Sequence, residues 1–209
     1  MSGQYETNIF VNCPFDADYR PIFDAILFAI YDCGFRPRCA LEDEDSSQIR
    51  VHKIRDLIGT SQFAIHDISR VQMDAISGFP RFNMPLELGM FLGAKWFGAP
   101  PQDSKNCLIL DTERYRFQQF LSDISGQDIR AHDDDPNRAV TQIRNWLNTF
   151  SQRRLPSARR IISRYEAFRK QWVKLARKLS VDEDEPTFRD VEELIYHWLD
   201  QNPLRGRRI

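Results

Sequence analysis

The chain has 209 residues, 29 basic against 30 acidic side chains, and 42% hydrophobic residues. That balance admits one domain with an appendage and a sizeable core, and it excludes wholesale disorder. No apolar run approaches the ~18–20 residues that span a bilayer, and no basic-then-apolar leader precedes the first strand, so the reading is a cytoplasmic protein with no membrane partner. Cys13, Cys33, Cys39 and Cys107 form no CxxC pair and have no histidine at ligand spacing. Reduced thiols are expected, with neither a zinc site nor a disulfide framework.

Charge is unevenly spread. Residues 1–150 carry 15 basic and 21 acidic side chains, residues 151–180 carry 10 and 1, and residues 181–209 carry 4 and 8. The stretch 151–180 is therefore the place where a polyanion would bind.

In chain order, Asn8 to Cys13 (NIFVNC) reads as a short strand stopped by Pro14-Phe15-Asp16. Pro21 opens an apolar helix that Gly34 ends, FRPRCAL is a short extended piece, and EDEDSSQ is a solvated loop. Ile49 to Ile58 has helical spacing, and Phe63 to Ile68 is the second clear strand. A polar loop then leads into a helix from Asn83 or Met84, started by Pro85, that places Glu87 in its first turn. Leu86, Leu88, Phe91, Leu92, Trp96 and Phe97 make that helix apolar nearly all round, which predicts burial, and Gly89 and Gly93 predict close approach to a sheet. NCLILD is a third strand, Tyr115 to Ile124 a helix-like segment, DIRAH a weak strand, and Pro136 starts a helix with a Val140, Ile143, Trp146, Leu147 stripe.

Strand alternating with helix over some 150 residues predicts an α/β fold, a flavodoxin-like open parallel five-stranded sheet of order 2-1-3-4-5. Ligands of such sheets bind beyond the carboxyl ends of the strands, at the switch point between the first and third. That rule selects Asn12, Pro14, Phe15, Asp67 and Ser69 together with the start of the Glu87 helix. No GxGxxG or GxxxxGK[ST] stretch is present. His66, after alternating apolar residues, reads as a buried structural histidine, and Asp133-Asp134-Asp135 as a helix start, not a metal cluster.

After Phe150 the composition changes, dividing the chain into an α/β domain over 1–152 and a helical C-terminal extension over 153–209. Ile161, Tyr165, Phe168, Trp172, Leu175 and Leu179 draw a narrow apolar stripe on a helix otherwise rich in Arg and Lys, and FRDVEELIYHWLDQ offers it a partner. The pair either docks on the domain or forms a homo-oligomer or protein-partner contact, and its basic face is where nucleic acid would bind.

Two motifs point to a family. A first strand ending in Cys13-Pro14-Phe15, followed after a later strand by Asn83, Glu87 and Gly89 in the pattern Asn-x-x-x-Glu-x-Gly, resembles the nucleoside 2-deoxyribosyltransferases. It is also similar to the Toll/interleukin-receptor (TIR) domains of bacterial defence proteins. The likeness covers residues 8 to 150. It implies an N-glycosidase or glycosyl-transfer enzyme that cleaves the base–ribose bond of a nucleotide, with NAD one such substrate, no cofactor, and a role as a defence effector. Glu87 would be the catalytic carboxylate, because an oxocarbenium-like transition state needs a negative group beneath the sugar. Asn83 and Asp67 would meet ribose hydroxyls, and Arg38, Arg70 or Arg81 a phosphate. The alternative is a non-catalytic nucleotide-sensing module whose helical tail reports occupancy.

Overall fold

The computed structural model describes residues 2–42, 45–71 and 81–204. Its elements are α1 (Ser2–Tyr5), β1 (Asn8–Asn12), α2 (Arg20–Asp32), β2 (Arg36–Arg38), α3 (Arg50–Gly59), β3 (Phe63–Asp67), α4 (Asn83–Phe97), β4 (Asn106–Asp111), β5 (Arg130–Ala131), α5 (Pro136–Phe150), α6 (Ala158–Leu179) and α7 (Phe188–Gln201). The strands form one all-parallel sheet in the order β2-β1-β3-β4-β5, the doubly wound arrangement that the alternation of elements predicts. Pro37 is tolerated because β2 lies at the edge of the sheet. β1 and β3 are buried along their whole length, as strands covered on both faces must be.

Alternate residues of each strand face different layers. Ile9, Val11, Ile65 and Leu110 pack with α2 and α5, whereas Phe10 and Ala64 pack with α3 and α4. Ile109 and Ile68 join Met84, Leu88 and Leu92 of α4 and Phe117 in a third cluster.

α2 is buried from Ile22 through Asp32. The sheet covers one side of it, and α6 and α7 cover the other, so the apolar stripe on α6 is spent within the chain. Phe28 of α2 stacks on Phe168 with ring centres 5.3 Å apart and tilts against Trp198 at 5.6 Å. Two acids buried in α2 are met from α6. Arg164 bonds Asp32 at 3.1 Å, and Arg169 bonds Asp24 at 3.1 Å beside Arg20 at 2.8 Å. Part of the basic face read as a polyanion surface is therefore docking chemistry. A further contact joins Tyr31 of α2 to Glu192 of α7 by a hydrogen bond.

Three local expectations are corrected. Residues 115–124 are two short 3-10 turns, Arg116–Gln119 and Ser122–Ile124, rather than a helix, because Tyr115 adopts a left-handed conformation and Leu121 breaks the run between them. Glu87 is the fifth residue of α4 and begins its second turn. α4 is not buried all round: Leu86, Trp96 and Phe97 are exposed, and a Cβ placed on Gly89 or Gly93 would meet nothing within 4 Å, so these glycines face away from the sheet. The polar loop expected after Ser69 falls largely on residues 72–80, outside the described residues, as does part of EDEDSSQ. Among the described residues no helix is long and apolar enough to cross a membrane, and all four cysteines are free thiols.

Because Phe168 is fully buried among Phe28, Trp172 and Trp198, Phe168→Ala is expected to lower unfolding free energy by about 3–5 kcal/mol. Urea melts of the two proteins measure it; a loss below ~1 kcal/mol would mean α6 is not part of the cooperative core.

Candidate functional site

The carboxyl end of β1, the start of α3 and the start of α4 enclose a cleft of about 310 Å³, lined by Asn12, Cys13, Pro14, Phe15, Asp16, Arg50, Arg81, Asn83, Met84 and Glu87. The Pro14 stop at the end of β1 turns the chain outward here, and α4 begins directly across the gap. Larger hollows, of about 640 and 610 Å³, lie at the amino ends of the strands, around Asn8 and Thr60 and around Thr7 and Phe35. The smaller cleft has the stronger chemical claim because of one side chain.

That side chain is Glu87. It is only 6% exposed, yet its carboxyl makes no hydrogen bond among the described residues. Burial pushes its pKa up to about 7, and the guanidinium of Arg50 draws it back only in part. A buried acid that is neither bonded nor neutralised is costly, which marks it as a group held for something other than the fold.

α4 is held in place by Asn12. The amide nitrogen of Asn12 reaches Nδ1 of His66 at 2.9 Å and donates to the Met84 carbonyl at 2.9 Å. Both amide hydrogens are thereby used, so Asn12 can offer a ligand only its carbonyl oxygen. Accepting at Nδ1 leaves the proton of His66 on Nε2, which has no acceptor. Burial and the nearby Lys105 drive the His66 pKa down to about 3, so the ring is neutral, a structural histidine as its sequence setting predicts.

Beneath the cleft lies a second polar group. Asp67, fully buried at the end of β3, accepts from the Tyr19 hydroxyl at 2.5 Å and the Ser69 backbone N–H at 2.9 Å, and its Oδ2 lies 3.0 Å from Nε2 of His132. Burial alone would raise its pKa, but the bonds from His132, Ser69 and Tyr19 outweigh it and hold the carboxyl below the ordinary value. The Asp134 N–H donates to Nδ1 of His132 at 3.1 Å, which leaves the ring proton on Nε2 beside Asp67, so the ring has no lone pair left for a substrate. Nearby, Arg116 bonds Asp111 and the Ser69 carbonyl, the latter at 2.7 Å.

The ten residues nominated from sequence divide accordingly, with Arg70 half-buried near Tyr19 and outside the cleft lining. Glu87, Asn12, Pro14, Phe15, Arg81 and Asn83 come together in the cleft. Asp67 and Ser69 do not line it; they are fully buried below it, and Asp67 has its oxygens taken. Arg38 is elsewhere, bonded to Glu42 at 2.6 Å on the wall of the 640 Å³ hollow. Asn83 is a helical residue exposed at the cleft, not a cap, since Phe82 holds the cap position. Arg81 lies 3.6 Å from Asp16. Sequence reasoning missed Arg50, the first residue of α3, which no motif announces; α3 follows the edge strand β2, so its place in the chain offered no cue. It also missed His132, hidden in the weak last strand. Among the described residues no group of His, Cys, Asp and Glu side chains is placed to hold a metal.

A comparison with family models, with curated proteins and with solved structures finds no match to this chain.

The unbonded Glu87 has a consequence for stability. Its pKa is about 7 when folded against a model value of 4.5, so the folded state holds the proton more tightly. Stability from this group is full below pH ~4.5 and is lost as pH rises through about 7. Glu87→Gln, which cannot ionise, should match the parent near pH 4 and exceed it by roughly 3 kcal/mol at pH 8. Chemical denaturation at the two pH values tests this, and equal differences at both would show that Glu87 is not a buried, unpaired acid.

Proposed function

We propose that the cleft binds a nucleotide and that Glu87 acts on its N-glycosidic bond. The single observation that supports this is an almost wholly buried carboxyl, without a hydrogen bond among the described residues, facing an open cleft at the switch point of a doubly wound sheet. A carboxylate in that position suits an oxocarbenium-like transition state, either stabilising its charge or bonding the anomeric carbon. The bond between C1′ and the base breaks with its electron pair leaving on the base; a purine or pyrimidine then takes a proton from solvent, whereas nicotinamide leaves neutral. The oxygen of water, or of an acceptor hydroxyl, then bonds C1′ and releases its proton to solvent, displacing the Glu87 carboxylate where that had bonded the carbon. Asn83 and the Asn12 carbonyl are positioned for sugar hydroxyls, and Arg50 and Arg81 supply positive charge for a phosphate. The likeness to nucleoside 2-deoxyribosyltransferases and TIR domains at Cys13-Pro14-Phe15 and at Asn83, Glu87 and Gly89 supports the same reading, and would make the protein a defence effector with NAD as one candidate substrate.

The test is release of free base from a panel of nucleosides, nucleoside phosphates and NAD. Glu87→Gln should lower turnover by about a hundredfold or more. For the parent, kcat/KM should rise with pH to a plateau, with its midpoint near the Glu87 pKa of about 7, because the ionised form is the active one. Equal turnover by the two proteins removes Glu87 from the mechanism.

A second reading, a nucleotide sensor, is favoured by the same pKa. With its pKa raised to about 7, Glu87 has a protonated form near neutral pH, and that form donates a hydrogen bond to a bound ligand instead of attacking it. Thermal stabilisation by a nucleotide with no base released would select this reading.

A further inference from the structure

α4 carries only two charges, Glu87 and Lys95, and neither lies on the face it turns outward. That face is formed by Leu86, Gly89, Gly93, Trp96 and Phe97, which fall within one stripe at helical spacing, with Phe82 just before it. Leu86 is 61% exposed, Trp96 58%, Phe97 88% and Phe82 64%. Single exposed apolar residues need no explanation, but a continuous uncharged helix face of this kind does.

We infer that this face of α4 packs against the same face of a second copy of the chain, antiparallel about a two-fold axis. Three observations select that occupant. First, the large and small positions run Leu86, Gly89, Gly93, Trp96, with steps of three, four and three residues. The pattern is symmetric about the level of Phe91, so a two-fold axis there sets Leu86 against the partner's Trp96 and Gly89 against the partner's Gly93. Self-complementarity of that kind is what an isologous interface requires. Second, the notch at the centre is open, since nothing lies within 4 Å of a Cβ built on either glycine, and the two backbones can approach closely while the large side chains close over the ends. Third, covering the four exposed side chains on both copies buries on the order of 1,000 Å², the size at which a specific interface becomes stable. The absence of charge on the face gives a charged partner nothing to hold.

This interface is independent of the glycosidic reading and is tested without any activity. Sedimentation of the full chain over a wide concentration range should show a monomer–dimer equilibrium. Leu86→Glu and Trp96→Lys, each introducing a charge into the contact, should separately weaken dimerisation by about a hundredfold or more. Both positions are exposed, so circular dichroism and melting temperature should be nearly unchanged. Mixing the two variants should restore dimer, because the antiparallel contact places the carboxylate introduced at position 86 of one chain against the ammonium introduced at position 96 of the other and leaves the second contact native. A parent that stays monomeric at all concentrations, or variants that dimerise as the parent does, overturns the interface. Variants that stay monomeric when mixed overturn the antiparallel pairing.

Discussion

Asp67 is a charge with no water to face, and the carboxyl end of the sheet is arranged around satisfying it. Its partners arrive from three parts of the chain: Tyr19 from the turn before α2, Ser69 from just beyond β3, and His132 from the turn after β5. Tyr19 and Ser69 donate to this carboxylate and His132 faces it at 3.0 Å, so one buried charge ties together the loops that follow β1, β3 and β5. A buried charge of this kind contributes little net stability compared with an apolar core, but removing one donor would leave it unpaired, and that is strongly unfavourable. The node therefore acts chiefly as a fixed point, and the floor of the cleft rests on it.

The C-terminal helices follow from a different constraint. A helix that packs on a sheet normally turns a polar face to solvent, but α2 has none: every residue from Ile22 to Asp32 is buried. Something must cover its outer side, and α6 and α7 do so with an aromatic cluster of Phe168, Trp172 and Trp198. The two acids of α2 would be unpaired under that cover without Arg164, Arg169 and Arg20. A change of composition at Phe150 is visible in the sequence, yet the hydrophobic core runs across it without a break.

The regular elements were legible because their signals are local. The β4 run NCLILD, the Pro136 helix and the α7 segment stand in the structure at the bounds their sequences suggest. The exposed face of α4 was not legible, since apolar residues on all sides of a helix read as burial, and only tertiary packing shows which of them find a neighbour. Residues 115–124 failed for the opposite reason. Their apolar spacing is helical, but Ser122, Asp123 and Ser125 favour local side-chain and turn conformations over a continuous ladder. At the site, Glu87 was found through the company it keeps in sequence. Arg50 and His132 come from distant segments without a motif, and proximity in space is the one signal that selects them.

Of the buried carboxyls near this rim of the sheet, Asp67 and Glu87 are driven in opposite directions. Asp67 and Glu87 are both buried, so desolvation opposes the charged form of each. Asp67 receives donors from a hydroxyl, a backbone N–H and an imidazole and stays ionised. Glu87 receives none among the described residues and is raised to about 7. Among the described residues, this rim thus supplies hydrogen-bond donors to its buried acids Asp67 and Asp111 and none to Glu87. The proposed function gives the two acids different work, with Asp67 structural and Glu87 reactive. It is the difference between them, more than the burial of either, that singles out Glu87.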